Sequence, residues 1–209
     1  MKAGEYDALA SRTEADCLEL IERVQNIQSI GPQGTLRFMP RQDSADLIHG
    51  IMGLAGELQE LQRLGDETAP GLLSRESVLK EIGDAWWYAR LIFRCFDMDI
   101  GRAVLRVATK AVEPTQEADF ILNVDMLLEP LKKWLFYGKP LNEEEILGET
   151  IALLAHASVH DMEIEDETGI TKQRVEEHLE AVWELNIAKL KRRYPDRFDA
   201  TLAQNHDSE

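Results

Sequence analysis

Residues 47–61, LIHGIMGLAGELQEL, and residues 78–93, VLKEIGDAWWYARLIF, carry the reading that decides the fold. In the first, Leu47, Ile48, Ile51, Leu54, Leu58 and Leu61 recur every three or four residues. In the second, Val78, Leu79, Ile82, Ala85, Trp86, Ala89, Ile92 and Phe93 do the same over a wider face. That spacing is the apolar stripe of an amphipathic helix, and no run of the chain alternates apolar and polar residues as a half-buried strand would. The chain therefore reads as all-α, a helical bundle of about six to seven helices.

Working outward, Leu9, Thr13, Cys17, Leu20, Ile21 and Val24 predict a helix over residues 5–28, broken by Gly31, Pro32 and Gly34, with a loop over residues 31–39. Pro40 and the Asp43/Ser44 pair start the helix that runs to about Gly65, and Ser74 starts the next, to about Phe96. Asp99 caps a short helix over residues 100–112, which Pro114 stops. A fifth pattern over residues 117–137 contains Pro130, expected to kink it, and ends at Gly138-Lys139-Pro140. Asn142 with Glu145 three residues on reads as a capping box, with Glu143 and Glu144 complementing the helix dipole, and opens a helix to about Asp161. Thr171 opens the last, whose stripe of Val175, Leu179, Val182, Leu185, Ile187 and Leu190 reaches about Arg193. Residues 199–209 read as a loose tail.

The balance of 39 acidic against 23 basic residues in 209 gives a net charge of −16. Polymeric nucleic acid is bound by clustered Lys and Arg that release counterions, so this balance argues against such a partner. A small phosphorylated ligand remains open, because metal ions can bridge acidic protein to acidic ligand. Cys17 and Cys95 both fall in apolar helical patterns and read as buried free thiols, which suits a reducing, cytoplasmic setting. The first residues lack the apolar core of a signal peptide, and no run reaches the roughly 18 apolar residues of a membrane span, so no membrane partner is expected.

The chemistry-bearing signal is a pair of acidic dyads, Glu57 with Glu60 and Glu81 with Asp84. Spacing of i, i+3 places both carboxylates of a dyad on one helical face, about 5–6 Å apart at Cβ. Small residues accompany them: Gly53, Ala55 and Gly56 before Glu57, and Gly83 before Asp84. A glycine inside a helix costs up to about 1 kcal/mol, so close approach of a neighbouring helix, metal or ligand is the reading it invites. Four carboxylates facing one another across two helices would repel unless a cation sat between them, and Mg²⁺ takes carboxylate, water and phosphate oxygens.

The segments 53–60, GLAGELQE, and 79–88, LKEIGDAWWY, resemble the ExxE…ExxD signature of the MazG-like, all-α nucleoside triphosphate pyrophosphohydrolases, and residues 186–198, NIAKLKRRYPDRF, resemble the helix that closes many members. The resemblance covers residues 47–198. It implies Mg²⁺-dependent hydrolysis of a nucleoside triphosphate to the monophosphate and pyrophosphate, with Mn²⁺ as a substitute. Glu57, Glu60, Glu81 and Asp84 would be the metal-holding and catalytic residues, one of them taking the proton of the attacking water. Asn186 and Lys189 match the closing segment and would touch sugar or phosphates; Lys133 and Lys139 are further phosphate candidates. Trp87, Tyr88 and Trp134 could stack a base, and His49 could read a base edge. Relatives of this kind are usually dimers or tetramers, which points to a homodimer, while an internal duplication would allow a monomer. The alternative is a catalytically weak module on the same scaffold that sequesters a nucleotide or binds a protein.

In organisation, residues 1–40 form an N-terminal helix and loop, and residues 41–198 the resembling unit. Within it, residues 41–115 hold the intact acidic half. Residues 116–198 read either as a degenerate second copy, with Gly148-Glu149-Thr150-Ile151 where the acidic dyad would fall, or as a helical insertion. The acidic run at residues 161–172 fails as an EF-hand, with Asp166 at the sixth position and Lys172 at the twelfth. No histidine has a Glu three residues before it, which excludes a ferritin-like di-iron set.

Overall fold

The computed structural model describes residues 28–38, 41–67, 75–112, 120–163 and 169–193. Among them are six α-helices: α1 (Arg41–Glu67), α2 (Arg75–Cys95), α3 (Ile100–Ala111), α4 (Phe120–Tyr137), α5 (Glu143–Glu163) and α6 (Lys172–Arg193). No helix of the described residues is long and apolar enough to cross a membrane. The helix expected over residues 5–28 lies outside the described residues apart from Gln28, as do Cys17, Pro40, Ser74 and residues 199–209.

The two stretches that decided the reading become α1 and α2, and they pair antiparallel. Their contacts run in opposite senses: Cys95 Sγ donates to the Asp43 carbonyl at 3.1 Å, Arg94 pairs with Asp46, Gly50 meets Ile92, and Gly53 meets Tyr88. The predicted stripes form the core, with Leu47, Ile51, Leu54 and Leu58 of α1 and Ile82 and Ile92 of α2 inaccessible to solvent. Helices α5 and α6 lie against α2 and α3, while α4 lies against α1 and α5. Burial first, and then the Asp43 and Asp46 carboxylates, push the Cys95 thiol up to about 12, so it sits in the core as a neutral, unreactive donor.

Helix ends follow local chemistry. Asp99 accepts from the backbone N–H groups of Gly101 and Arg102 at 2.9 and 3.2 Å, and Asn142 from those of Glu144 and Glu145 at 3.1 and 3.3 Å. Thr171 Oγ1 accepts from the Arg174 N–H at 3.3 Å. Helix α4 runs through Pro130 to Tyr137 and gives way at Gly138, whose φ of 63° suits a residue without a Cβ.

The expected loop over residues 31–39 and the absence of strands are both corrected. Strands β1 (Gln28–Ile30) and β2 (Leu36–Phe38) make an antiparallel hairpin around a 3₁₀ turn at Pro32–Gly34. On its other edge β1 pairs in parallel with β3 (Leu141–Asn142), in the order β2-β1-β3. Strands of two or three residues are too short to show a period, and the β1–β3 pairing joins segments that no local pattern links. Glu143 stands in the first turn of α5, where its charge suits the helix dipole, and it is also buried and accepts from the buried Ser29 Oγ at 2.5 Å, fastening the hairpin to the start of α5.

Two glycines separate packing from propensity. A Cβ at Gly53 would overlap the Tyr88 ring, whereas one at Gly56 would meet nothing within 4 Å. Gly53→Ala is expected to lower stability by about 1–3 kcal/mol through overpacking. Gly56→Ala should be neutral or stabilising by up to about 1 kcal/mol through helix propensity. Urea melts of the two variants check the contrast, and equal losses would refute it.

Candidate metal centre

The antiparallel register of α1 and α2 sets Glu57 opposite Glu81 and Asp84. One carboxylate oxygen from each of the three lies within 4.8 Å of those of the other two. Glu57 and Glu81 lie within hydrogen-bonding reach, which favours a proton on Glu57, while Asp84 is held from α6. Asn186 Nδ2 donates to Asp84 Oδ1 at 2.6 Å, and the Lys189 ammonium pairs with Asp84 Oδ2. Asn186 reaches that position because residue 83 is glycine: a Cβ there would stand 2.8 Å from the Asn186 Cβ.

The electrostatics follow from burial and like charge. Desolvation, then the Asp84 charge, the proton shared with Glu81, and the charges of Glu81 and Glu60 raise Glu57 from 4.5 to about 8. Burial also raises Glu81; as the acceptor of the shared proton it is pulled the other way, Asp84 and Glu60 push it up, and Lys189 pulls it down. Three converging carboxylates are thus held together by one shared proton and one ammonium. Hard divalent cations favour such all-oxygen donor sets, and a cation there would displace the proton and compete with Lys189 for Asp84.

The remaining sequence candidates divide. Glu60 is outside the three-carboxylate convergence. Its side chain is 55% exposed and 3.8 Å from Arg63, and it acts on Glu57 and Glu81 through its charge. Tyr88, one turn along α2 from Asp84, forms an edge-to-face trio with Trp87 and His49, with ring centroids 5.0–5.8 Å apart. Trp134 is 3% exposed and belongs to the core, so it is no base platform. Lys133 pairs with Glu129 on its own helix at 3.4 Å, and Lys139 follows α4 on an exposed turn; neither is among the groups acting on Glu57 or Glu81. Sequence reasoning passed over Trp183, although it precedes Asn186 by one helical step of three, as Asn186 precedes Lys189.

Comparison of the chain with protein-family models, curated proteins and solved structures finds no match.

The raised Glu57 fixes the sign of a pH effect. The native protein retains a proton that the unfolded chain releases above about 4.5, so the contribution of Glu57 to stability is full below about 4.5 and is lost as pH rises toward about 8. In chelator, the melting temperature of the wild type is expected to fall by several degrees between pH 5 and pH 8.5. Glu57→Gln should flatten that slope and melt above the wild type at pH 8.5. Parallel slopes for the two proteins would show that the three carboxylates do not crowd one another.

Proposed function

We propose that the chain is a Mg²⁺-dependent nucleoside triphosphate pyrophosphohydrolase, adding water across the α–β phosphoanhydride to give nucleoside monophosphate and pyrophosphate. The observation that carries this reading is the convergence of Glu57, Glu81 and Asp84 within 4.8 Å. The resemblance of residues 53–60, 79–88 and 186–198 to MazG-like enzymes supplies the reaction class.

The donor set fits the ion: three carboxylates from two helices. Mg²⁺ bound there would neutralise triphosphate charge and lower the pKa of a water. The protein's own groups do the rest. Asn186 fixes the rotamer of Asp84 through the 2.6 Å hydrogen bond, which keeps a ligand oxygen in place before any cation arrives. Lys189, once Asp84 is engaged elsewhere, is a mobile ammonium at the edge of the site, suited to a phosphate oxygen. A carboxylate of the cluster accepts the proton of the attacking water.

Incubation with a panel of ribo- and deoxynucleoside triphosphates and Mg²⁺ is expected to release pyrophosphate and not orthophosphate. Glu57→Gln and Asp84→Asn should each lower that rate by on the order of 100-fold or more while leaving the fold intact. Mg²⁺ alone should raise the melting temperature of the wild type at pH 8 and do so far less in Asp84→Asn. Silence across the panel, with nucleotide still retained by the protein, would overturn hydrolysis in favour of sequestration.

A further inference from the structure

A groove of about 600 Å³ runs between α1 and α4, with Met52 of α1 and Leu128, Leu135 and Phe136 of α4 in its lining. Met52 is 61% exposed and Phe136 42%, so two large apolar side chains stand open to water at this surface. Of the charged groups in the lining, Lys132 and Glu129 pair with each other on α4. The surface left over suits an apolar helical face, which seats in a groove through side chains spaced three and four residues apart.

Backbone topology names the occupant. Residues 1–27 lie outside the described residues, and they join the described chain at Gln28, the first residue of β1. Strand β1 pairs in parallel with β3, Ser29 opposite Leu141 and Ile30 opposite Asn142. Two parallel strands are entered from the same side, and the element that leads into β3 is α4. The residues before Gln28 therefore come in beside the C-terminal end of α4, where Phe136 stands. Spacing agrees. Helix α4 ends at Tyr137, four residues before Leu141, and the fourth residue before Ser29 is Gln25, next to Val24, the last member of the N-terminal apolar stripe. As a helix, residues 5–24 would span about 30 Å, against about 27 Å for the 18 residues of α4. Leu9, Cys17, Leu20, Ile21 and Val24 fall on one face of such a helix, and a face of this kind is buried against a partner. Tethered at Gln28, it would meet the groove at an effective concentration of about millimolar, which favours it over a second copy of the chain.

We infer that residues 5–24 form a helix that lies along α4 in the α1–α4 groove and points the same way as α4, with Leu20, Ile21 and Val24 near Leu135 and Phe136 and Cys17 near Leu128. The segment is then a built-in brace that ties α1, the helix of Glu57, to α4 and the sheet. The inference is independent of what the acidic cluster binds.

The test uses the full chain with Met52 replaced by the photo-crosslinker p-benzoylphenylalanine. An equal mixture of ¹⁴N- and ¹⁵N-labelled chains is irradiated and digested, so that the labels show which chain supplied each joined peptide. The expected product has the mass of one chain and joins residue 52 to a peptide from residues 5–24 of the same label. Mixed labels, or a product with the mass of two chains, would give the groove to a second copy and overturn the inference. Attachment to the described helices alone, or to nothing, would overturn it as well. A mutant cycle reads the same contact energetically. Leu20→Asp and Phe136→Asp should each lower the melting temperature by several degrees, and the double variant should melt within about a degree of the less stable single one. Losses that add in full, or a Phe136→Asp variant that melts like the wild type, would refute the contact. Should Leu20→Asp fail to fold, the cross-link decides.

Discussion

The close approach of α1 to α2 is the constraint on which the rest depends. At Gly53 the Tyr88 ring occupies the space a side chain would need, and at Gly50 a Cβ would stand 2.9 Å from Ile92. Helices packed this tightly bring whatever lies one turn farther along into contact as well, and there the chain carries acids on both sides. Like charges within 4.8 Å in a partly desolvated place would drive the pair apart. The fold contains three answers to that repulsion: a proton on Glu57, the ammonium of Lys189, and the hydrogen-bond donor of Asn186. On the proposed reading a cation would replace the first two and leave the third, the Asn186 hydrogen bond, in place.

Helix α6 supplies the two groups that hold Asp84, Asn186 and Lys189. Trp183, Asn186 and Lys189 follow at steps of three, so they share a face, and that face lies on α2 beside Gly83. Asp84 and its two α6 partners are 102 and 105 residues apart in the chain, and the site is complete only when α6 has docked against α2 and α3. The intervening α5 is tied at its start to the hairpin through Ser29 and Glu143, and it packs against α2 and α3.

Period and spacing made part of this legible. The stripes of α1 and α2 are local, repeat over several turns, and emerge as the core; Glu57, Glu81 and Asp84 are local pairs whose helices carry glycine beside them. Glu60 has the same spacing as its partners, yet it extends one step beyond the crossing toward solvent. The hairpin escaped because three-residue strands have no period and β1 finds β3 across more than a hundred residues. Trp134 and Lys133 were read from a motif, whereas burial and a neighbouring glutamate decide where they sit. Ile187 was read as core and is 48% exposed, because α6 turns that residue to the mouth of a cavity between α2 and α6.

Charge constrains how such a site is approached. A chain of net charge −16 repels a free triphosphate at long range, and the acidic cluster repels it at short range. On the proposed reading, the nucleotide therefore arrives already partly neutralised, as its complex with a divalent cation, and no basic surface is needed to draw it in. The Lys189 ammonium at the edge of the site is paired with Asp84, and on this reading its charge would become available to a phosphate only as a cation engages that carboxylate. On the proposed reading, coupling the release of Lys189 to occupation of Asp84 would make the site attractive to the paired ligand and unattractive to either half of it alone, a way for an acidic protein to select a highly charged anion without a positive field.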